Sequence, residues 1–454
     1  MSKKKEIVWD GNVRDAALSI LLAVDKHQAY SNLLLNQTIQ KYKITDAKDR
    51  GLLTEITYGT LQHKLTLDYY LEPFLRGKID LWVRWLLRMS LYQMHYLTRI
   101  PAHAAVNEAV EIAKRRGHKG IASVVNGVLR SILRQGVRDT AEIEDATERL
   151  SVETSHPLWL VERWVEMYGY EQTKEMLEEN NIPPVQTVRV NSTKATVEEV
   201  LAAFAEEGMT VKQSELMPEC VYILSGQAAR SKAFKEGLIT IQDESSMVPA
   251  NVLNPEPGMR VLDMCAAPGG KTTHLAEKMQ NEGTIIALDL HPHKLDLIDE
   301  NTARLGLDIV QTAPMDGRKA SGFFEKESFD AILVDAPCSG LGVMRRKPDI
   351  KYTKREEDLG NLQTIQLAIL DNAAELLKSG GRLVYSTCTV DKRENEETVQ
   401  AFLAKHPEME AEQIQNLPEK LLTNRAEGML QIFPQDFGSD GFFVAAFRKK
   451  GETN

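Results

Sequence analysis

The sequence predicts a multidomain protein with an all-helical N-terminal domain, a small α+β module and a C-terminal α/β domain. Apolar residues recur at helical spacing over most of the first 135 residues. Short strand-like segments flank one helix between residues 186 and 224, and from residue 260 strands and helices alternate. In a chain of 454 residues each part is long enough to bury its own core. We therefore predict domains over residues 1–138, 139–246 and 247–454.

The composition is that of a soluble globular protein, with 43% hydrophobic and 26% charged residues. The most apolar stretch, residues 81–97, is interrupted by Arg84 and Arg88, so no membrane span is expected. No apolar segment follows Lys3–Lys5, which argues against a secretory signal. The four widely spaced cysteines form no CxxC pair. We expect a cytoplasmic protein without a metal site or a disulfide framework.

Charge is unevenly distributed along the chain, although the net charge is −10. The first 140 residues carry 22 Lys and Arg against 13 Asp and Glu, and the remainder carries 33 against 52. A basic part joined to an acidic body favours a polyanionic partner for the basic part. The alternative is a solvated helical face that happens to be basic.

The N-terminal helices are predicted from stripes such as Ala17, Ile20, Leu21 and Val24, which share one helical face. Three cations, Lys114–Arg116, close a later helix, where they complement the helix dipole. With the cations of the next helix they also indicate a phosphate-binding face; those cations are Lys119, Arg130 and Arg134.

A charged stretch over residues 136–154 lacks an apolar stripe and is predicted to be a linker. The module that follows has strand-like segments at Gln186–Val190, Met209–Val211 and Val221–Leu224 around a helix over Val197–Glu207. This succession is predicted to be ferredoxin-like.

The C-terminal domain is predicted to be a Rossmann-like, doubly wound parallel sheet. Its strands are expected at Arg260–Met264, Thr284–Leu288, Ile309–Thr312, Ala331–Val334 and Arg382–Tyr385. After the first strand a turn through Pro268, Gly269 and Gly270 leads into a helix beginning at Lys271. Ligands of such sheets bind outside the carboxyl ends of the strands, and candidate site residues are therefore sought there.

The first turn indicates a nucleoside cofactor. It lacks G-x-G-x-x-G, which disfavours a dinucleotide, and hence a nicotinamide-dependent oxidoreductase, relative to S-adenosylmethionine. Asp289 closes the second strand and is placed to bind ribose hydroxyls, the alternative being an ordinary helix N-cap. Asp316 follows the third strand and could accept the adenine amino group.

Two of the four cysteines, Cys338 and Cys388, follow the fourth and fifth strands. A thiolate at this position could add to carbon 6 of a pyrimidine and make carbon 5 nucleophilic enough to accept a methyl group. Such a thiolate needs a partly electropositive site, for which Lys271 could supply the charge. Asp335 could hydrogen-bond the edge of the base. The other two cysteines, Cys220 and Cys265, are expected to be apolar fillers.

Four motifs resemble the NOL/NOP/Sun family of RNA 5-methylcytosine methyltransferases: Cys265–Lys271, Asp335–Cys338, Ser386–Thr389 and Asp440–Phe443. The resemblance covers residues 150–448. It implies that Cys388 is the covalent nucleophile and that Cys338 assists release of the methylated base. It also implies contacts to the cofactor or the base from Cys265, Ala266, Ala267, Pro268, Gly269, Gly270, Lys271, Asp289, Asp316 and Asp335.

Residues 10–135 resemble the NusB family of helical RNA-binding domains, through Arg14–Ala17, Asp49-Arg50, Val106–Ala113 and Val125–Arg130. Arg189–Asn191 with Leu238–Ser246 resembles the segment that precedes the catalytic domain in RNA cytosine methyltransferases. A NusB-like domain before such a methyltransferase implies a bacterial enzyme that modifies carbon 5 of a cytosine in 16S ribosomal RNA, free or in an early assembly particle. We expect the enzyme to be a monomer.

The target cytosine has to leave its stack, because a side chain cannot reach carbon 6 inside a helix. Arg345–Lys347 could hold the RNA backbone there, the alternative being a solvated loop. A non-catalytic RNA-binding protein that retains a cofactor fold is the remaining hypothesis, against which the pair of cysteines speaks.

Overall fold

A computed structural model describes residues 11–27 and 30–451, so Lys3–Lys5 lie outside the described residues. Backbone contacts group the chain into two compact units. The first contains the residues up to Asn181 together with Arg346–Lys354, and the second contains Ile182–Arg345 and the residues from Arg355 onward. The predicted domain boundaries at residues 138 and 246 do not coincide with this division and stay predictions.

In the residues that the structure describes, the first unit contains helices and no strand, as predicted for residues 1–138. Its core is formed by the apolar stripes of its first seven helices, and Ala17, Leu21 and Trp85 are almost completely buried there. The helices are α1 Val13–His27, α2 Ser31–Lys41, α3 Ala47–Gln62, α4 Lys64–Leu71, α5 Leu81–Tyr96, α6 Ala102–Arg116, α7 Lys119–Gln135, α8 Ala146–Thr154, α9 Leu158–Tyr168 and α10 Tyr170–Glu179, with 3-10 turns at Glu72–Phe74 and Thr140–Glu142. None of the described helices is long and apolar enough to cross a membrane.

The predicted linker over residues 136–154 is wrong in its second half, because helix α8 occupies Ala146–Thr154. The carboxylate of Asp145 caps the helix by accepting a hydrogen bond from the backbone N–H of Glu148. Only Leu150, Ser151 and Thr154 are buried on its inner face. A helix that buries so few residues shows no apolar stripe in the sequence. The capping residue Asp145 was the only feature of the sequence that indicated this helix.

A segment from much later in the sequence completes this helical unit. It contains the short helix α16, Ile350–Thr353. The side chain of Lys351 is fully buried, and its Nζ donates to Asn181 Oδ1 at 2.8 Å and to the backbone carbonyl of Gln62 at 3.2 Å. Burial lowers the pKa of Lys351 well below its ordinary value.

The second unit begins with the predicted small α+β module. Its elements are β1 Gln186–Val190, α11 Val197–Glu206, β2 Thr210–Gln213, β3 Cys220–Ser225, α12 Lys232–Lys235 and β4 Ile239–Ile241. The strands form an antiparallel sheet in the order β2-β3-β1-β4. The succession of strands and helix predicted from the sequence is confirmed.

A nine-stranded sheet with helices around it forms the rest of this unit. Its elements are α13 Val248–Leu253, β5 Arg260–Asp263, α14 Gly270–Lys278, β6 Thr284–Asp289, α15 Pro292–Leu305, β7 Val310–Pro314, β8 Phe329–Asp335, α17 Glu356–Leu376, β9 Leu377–Thr387, α18 Glu396–Lys405, β10 Met409–Ala411, β11 Arg425–Ala426, β12 Met429–Ile432, α19 Pro434–Phe437 and β13 Phe442–Lys449. The strand order is β11-β12-β13-β9-β8-β5-β6-β7, with β10 paired to β13.

The Rossmann-like sheet is mixed rather than wholly parallel. Strands β5 to β9 are parallel, as predicted, whereas β10, β11, β12 and β13 add antiparallel pairs beyond β9. The five parallel strands bring their carboxyl ends to one edge of the sheet. Every candidate catalytic or cofactor-binding residue ends or follows one of these strands, so the topology gathers them at that edge.

Candidate active site at the carboxyl ends of the strands

The loop after strand β5 is a tight turn into helix α14, which begins at Gly270, one residue earlier than predicted. Gly269 has a φ of +99°, and a Cβ atom there would lie only 3.2 Å from the Cα of Ile298. The positive φ favours glycine at this position, and the close approach of Ile298 leaves little room for a side chain. The preceding Ala267–Pro268 peptide is cis, Ala266 is buried and Pro268 is exposed.

Carboxylates converge on this loop around Cys265. Burial is the main reason that the pKa of the Cys265 thiol is raised well above its ordinary value, and four aspartates raise it further: Asp263, Asp335, Asp289 and Asp316. Cys265 therefore stays a thiol, and its role as a filler rather than a nucleophile stays a prediction. The same effect shows that the three aspartates predicted from strand ends are neighbours of this loop.

Asp263 is a site residue that the sequence patterns above did not single out. It is the last residue of β5, is completely buried, and accepts a hydrogen bond from Thr272 Oγ1 at 2.7 Å. Burial raises the pKa of Asp263 to about 7. Its position at a strand end was a signal available in the sequence.

Asp289 and Asp316 lie at the end of β6 and just after β7, as predicted. Asp289 accepts a hydrogen bond from the backbone N–H of His291 at 2.9 Å, and because His291 itself is the N-cap of α15, the alternative of an ordinary helix cap is wrong. Asp316 caps a 3-10 turn and binds Arg318, whose guanidinium lowers the pKa of that carboxyl. An adenine amino group at Asp316 would share the carboxylate with Arg318.

Lys271 and Asp335 form an ion pair at the centre of this edge. Lys271 Nζ lies 2.8 Å from Asp335 Oδ2, and Asp335 Oδ1 accepts a hydrogen bond from Ser386 Oγ at 2.8 Å. Burial alone would lower the pKa of Lys271, but the Asp335 carboxylate and nearby Cys388 raise it above its ordinary value. Lys271 therefore carries a positive charge that acts on Cys388.

The two cysteines predicted from the strand ends lie in contact. The Sγ atoms of Cys338 and Cys388 are 3.3 Å apart, and both residues are partly exposed. The thiol of Cys338 has a pKa well above its ordinary value, chiefly because of its hydrogen bond with Cys388 and also because of burial. A protonated Cys338 can donate to a thiolate at Cys388, whose negative charge the Lys271 ammonium stabilises.

The prediction that Arg345 holds an RNA backbone is wrong, and so is the alternative of a solvated loop at this residue. Arg345 is buried, and its guanidinium donates to the backbone carbonyls of Ile182 and Ser439 at 3.0 and 3.2 Å, and to that of Gly438. A buried guanidinium whose N–H groups donate to backbone carbonyls holds together the segments that carry those carbonyls. The residues of these contacts are distant in sequence, so the sequence carried no signal for them.

Arg189 connects the small module to helix α14. Its guanidinium is fully buried and donates to Glu277 Oε1 and Oε2, both at 2.8 Å, and to Thr273 Oγ1 at 3.0 Å. It also donates to the carbonyl of Gly270 at 2.8 Å and to Gln242. In the sequence Arg189 stands out only as part of a motif, whereas in the structure it holds the glycine turn of the candidate site.

The donor set of this edge fits a cationic nucleoside. Asp289 and Asp316 offer carboxylate oxygens after neighbouring strands, which suits hydroxyl and amino groups. The carboxylates around Cys265 would also attract a positively charged sulfonium. The exposed and half-buried residues of the loop over residues 265–270 line the same edge.

Comparison with protein families finds three matches along the chain. Residues 250–448 match the family described as 16S rRNA methyltransferase RsmB/F. Residues 11–134 match the NusB family, and residues 156–230 match the ferredoxin-like domain of RsmF/B-like methyltransferases. The three matches follow one another in the order of the predicted helical, α+β and α/β parts.

Similar proteins cover almost the whole chain. The probable ribosomal RNA small subunit methyltransferase B of Bacillus subtilis (strain 168) is 53% identical over 97% of this chain and 99% of its own length. The ribosomal RNA small subunit methyltransferase B of Escherichia coli O127:H6 is 36% identical over 96% of this chain and 98% of its own length.

Solved structures agree with the fold. The crystal structure of PH0851 superposes with a TM-score of 0.82 at 29% identity, over 96% of this chain and 98% of that one. The structure of NSun6 from Pyrococcus horikoshii with SFG has a TM-score of 0.58 at 25% identity, over 63% of this chain and 97% of that one.

Proposed function

This chain belongs to the 16S rRNA methyltransferase RsmB/F family, and we propose that it methylates carbon 5 of a cytosine in 16S ribosomal RNA with S-adenosylmethionine. The observation that carries the proposal is the contact between Cys338 and Cys388, at 3.3 Å, beside the charged pair of Lys271 and Asp335. A methyl transfer to oxygen or nitrogen needs no thiol pair, whereas transfer to carbon 5 of a pyrimidine needs a covalent nucleophile.

The cofactor proposal is supported by the glycine turn and by the solved relative with the S-adenosylmethionine analogue SFG. The proposed holding residues are the loop Cys265, Ala266, Ala267, Pro268, Gly269 and Gly270 with Lys271, Asp289, Asp316 and Asp335. When bound, S-adenosylmethionine supplies an electrophilic methyl group. No metal takes part in the proposal.

Cys388 is proposed to be the nucleophile. Its thiolate adds to carbon 6 of the cytosine, and the displaced electron pair makes carbon 5 able to accept the methyl group. Lys271 supports this role because its ammonium group lies in the electrostatic range of Cys388. Loss of the proton from carbon 5 to a water molecule then expels the Cys388 thiolate and restores the aromatic ring.

Cys338 is proposed to assist that release. Its raised pKa keeps the Cys338 thiol protonated, so its S–H can donate a hydrogen bond to the departing Cys388 sulfur. Asp335 is proposed to accept a hydrogen bond from the amino edge of the base with the carboxylate that Lys271 and Ser386 hold in place.

The RNA is proposed to be held partly by the NusB-like domain. The exposed cations near the ends of α6 and α7, which are Lys114, Arg115, Lys119, Arg130 and Arg134, support this role. The target base is proposed to be flipped out of its stack. We further propose a cytoplasmic monomer that meets its RNA free or in an early assembly particle.

The test is methyl transfer from labelled S-adenosylmethionine to a 16S ribosomal RNA transcript, followed by bisulfite sequencing. Cys388→Ala should abolish transfer and leave cofactor affinity, measured by calorimetry, unchanged. Cys338→Ala should accumulate a protein–RNA complex that survives denaturation. Cys220→Ala, a buried cysteine of strand β3, is the matched control and should retain transfer.

Two results would contradict the proposal. Methylation by the Cys388→Ala variant would show that Cys388 is not the nucleophile. A product other than 5-methylcytosine would show that the methyl group is not transferred to carbon 5 of cytosine. A protein that binds RNA and fails to bind S-adenosylmethionine would instead support the hypothesis of a non-catalytic RNA-binding protein.

A further inference from the structure

Two consecutive buried residues, Glu394 and Asn395, lie between the cysteine loops of the site. They follow Cys388 in the chain by six and seven residues, and both have no exposed surface. Neither has a part in the proposed chemistry. Burial of a carboxyl group and an amide is costly unless their hydrogen bonds serve the structure around them.

Glu394 holds the backbone beside Cys338. One carboxylate oxygen, Oε2, accepts hydrogen bonds from the backbone N–H of Ser339 and from Nε2 of Gln366, both at 2.9 Å. The same Nε2 donates to the carbonyl of Pro337 at 3.0 Å. The peptide groups on both sides of Cys338 are therefore held by Glu394 and its partner Gln366.

Asn395 holds the backbone and side chains beside Cys388. Its Nδ2 donates to the carbonyl of Thr389 at 3.1 Å and to Gln431 Oε1 at 2.9 Å. Its Oδ1 accepts a hydrogen bond from Thr387 Oγ1 at 2.6 Å. Both neighbours of Cys388 in the chain are therefore bound to this one amide.

The two loops are also joined to each other. Ser339 Oγ and Thr389 Oγ1 lie 2.9 Å apart, and the N–H of Gly342 donates to the carbonyl of Cys388 at 3.0 Å. Glu394 holds the loop of Cys338, and Asn395 holds the loop of Cys388. Since the two residues are adjacent, a shift of either loop would also displace the residue that holds the other loop. We propose that Glu394 and Asn395 act as positioning residues that set the contact between the Cys338 and Cys388 sulfur atoms.

The inference deepens the proposed function and rests on it for the roles of the two thiols. Glu394→Ala should release the Cys338 loop, lower turnover by about tenfold to a hundredfold, and raise the fraction of trapped RNA, as Cys338→Ala does. Asn395→Ala should instead lower the formation of that covalent complex, because it frees the loop of Cys388. Both variants should bind S-adenosylmethionine as the wild type does.

Glu394→Gln distinguishes positioning from charge. Its amide oxygen can accept the same two hydrogen bonds that Oε2 accepts, while its NH₂ group takes the place of Oε1, which is buried without a partner among the described residues. We expect its turnover within about threefold of the wild type. A Glu394→Gln variant as slow as Glu394→Ala would overturn the positioning role.

Glu412→Ala is the matched control for a general loss of stability. Glu412 binds Arg382 of strand β9, which is six residues and about 20 Å along the strand from Cys388. This variant should lose thermal stability without accumulating trapped RNA. If Glu412→Ala also traps RNA, trapping reports loosening of the whole unit and the inference fails.

A measurement without RNA separates failure of the inference from failure of the proposed function. Phenylarsine oxide binds two neighbouring thiols at once and releases one water. The wild-type full chain, Glu394→Gln and Glu412→Ala should bind it tightly, and Glu394→Ala and Asn395→Ala should bind it about tenfold more weakly. Equal affinity in all five proteins would overturn the inference even if Cys388 proves to be the nucleophile. The expected order would support it even if methyl transfer is not observed.

Discussion

Arg189 donates to both carboxylate oxygens of Glu277, with each N–O distance 2.8 Å, and neither side chain is exposed to more than 2%. The pair joins strand β1 of the small module to helix α14, which starts at the glycine turn of the site. A buried ion pair is expensive to break, because removing one partner leaves the other charged and desolvated.

Arg189→Met should therefore destabilise the second unit by about 3–5 kcal/mol, since Glu277 would remain buried without its cation. The double variant Arg189→Met, Glu277→Gln should recover most of that loss, because no unpaired charge remains. The five tryptophans of the chain all lie within residues 1–181, so hydrogen exchange of amides in β1 and α14 is the suitable measurement. A double variant no more stable than the single one would contradict the explanation.

At neutral pH, iodoacetamide should react with one of the four thiols before the other three. The pKa of Cys338 is raised, mainly by its hydrogen bond with Cys388, and burial raises the pKa of Cys220 and of Cys265. Cys388 should therefore be alkylated first, and Lys271→Met should move its reaction to higher pH, because the nearby positive charge is lost. Peptide mass spectrometry locates the label. First labelling of Cys265 or Cys338 would contradict the assignment of the thiolate.

Ionisation of Asp263 should make the second unit less stable as pH rises toward neutral. Its pKa is raised to about 7 by burial, so the protonated form stabilises the fold fully below about pH 4, and this contribution is lost as pH rises through 7. The slope is at most about 1.4 kcal/mol per pH unit. Asp263→Asn, which keeps an acceptor for Thr272, should lack that slope in hydrogen exchange of α14. Equal slopes in both proteins would show that Asp263 is not the titrating group.

Lys351 should give the helical unit the opposite dependence on pH. Burial holds its pKa well below the ordinary value of 10.5, so the unfolded chain binds an extra proton over the interval between the two values. The free energy of unfolding should therefore rise with pH up to about 10 in the wild type, and less so in Lys351→Met. Denaturant titrations followed by tryptophan fluorescence report this unit alone.

Comparison of pH 7 with about pH 9.5 tests this explanation, because the unfolded lysine still binds its proton over that interval. Lys347→Met, at a partly exposed lysine of the same segment, is the control. A Lys351→Met variant with the wild-type pH dependence would contradict it. Replacement by Met should also raise stability at pH 7, since an apolar side chain is buried there without a desolvation cost.

Helices and parallel strands of this chain were predictable because their signals are local. Apolar residues recur with the period of a helix in the stripe through Ala17 and Leu21. The strand before Gly269 is likewise indicated by its own neighbouring residues. The carboxyl ends of parallel strands share an edge, which was enough to bring Lys271, Asp335 and Cys388 to one place from sequence alone.

Other features depend on residues that are far apart in the chain. The sequence around Arg345 predicts a surface cation. In the structure its guanidinium is buried, because it donates hydrogen bonds to the carbonyls of Ile182 and Ser439. Helix α8 was missed because it buries few residues, and the antiparallel strands beyond β9 were missed because each is short or has no regular alternation.

The sequence by itself determined the order of the three parts, the strand ends that carry the site and the two cysteines of interest, since period, turn and motif are properties of neighbouring residues. Only the tertiary structure decided that Cys338 lies 3.3 Å from Cys388, that Glu394 and Asn395 hold the two loops, and that Arg189 binds Glu277. These contacts join residues between 6 and 88 positions apart, and their geometry follows from packing rather than from any local pattern.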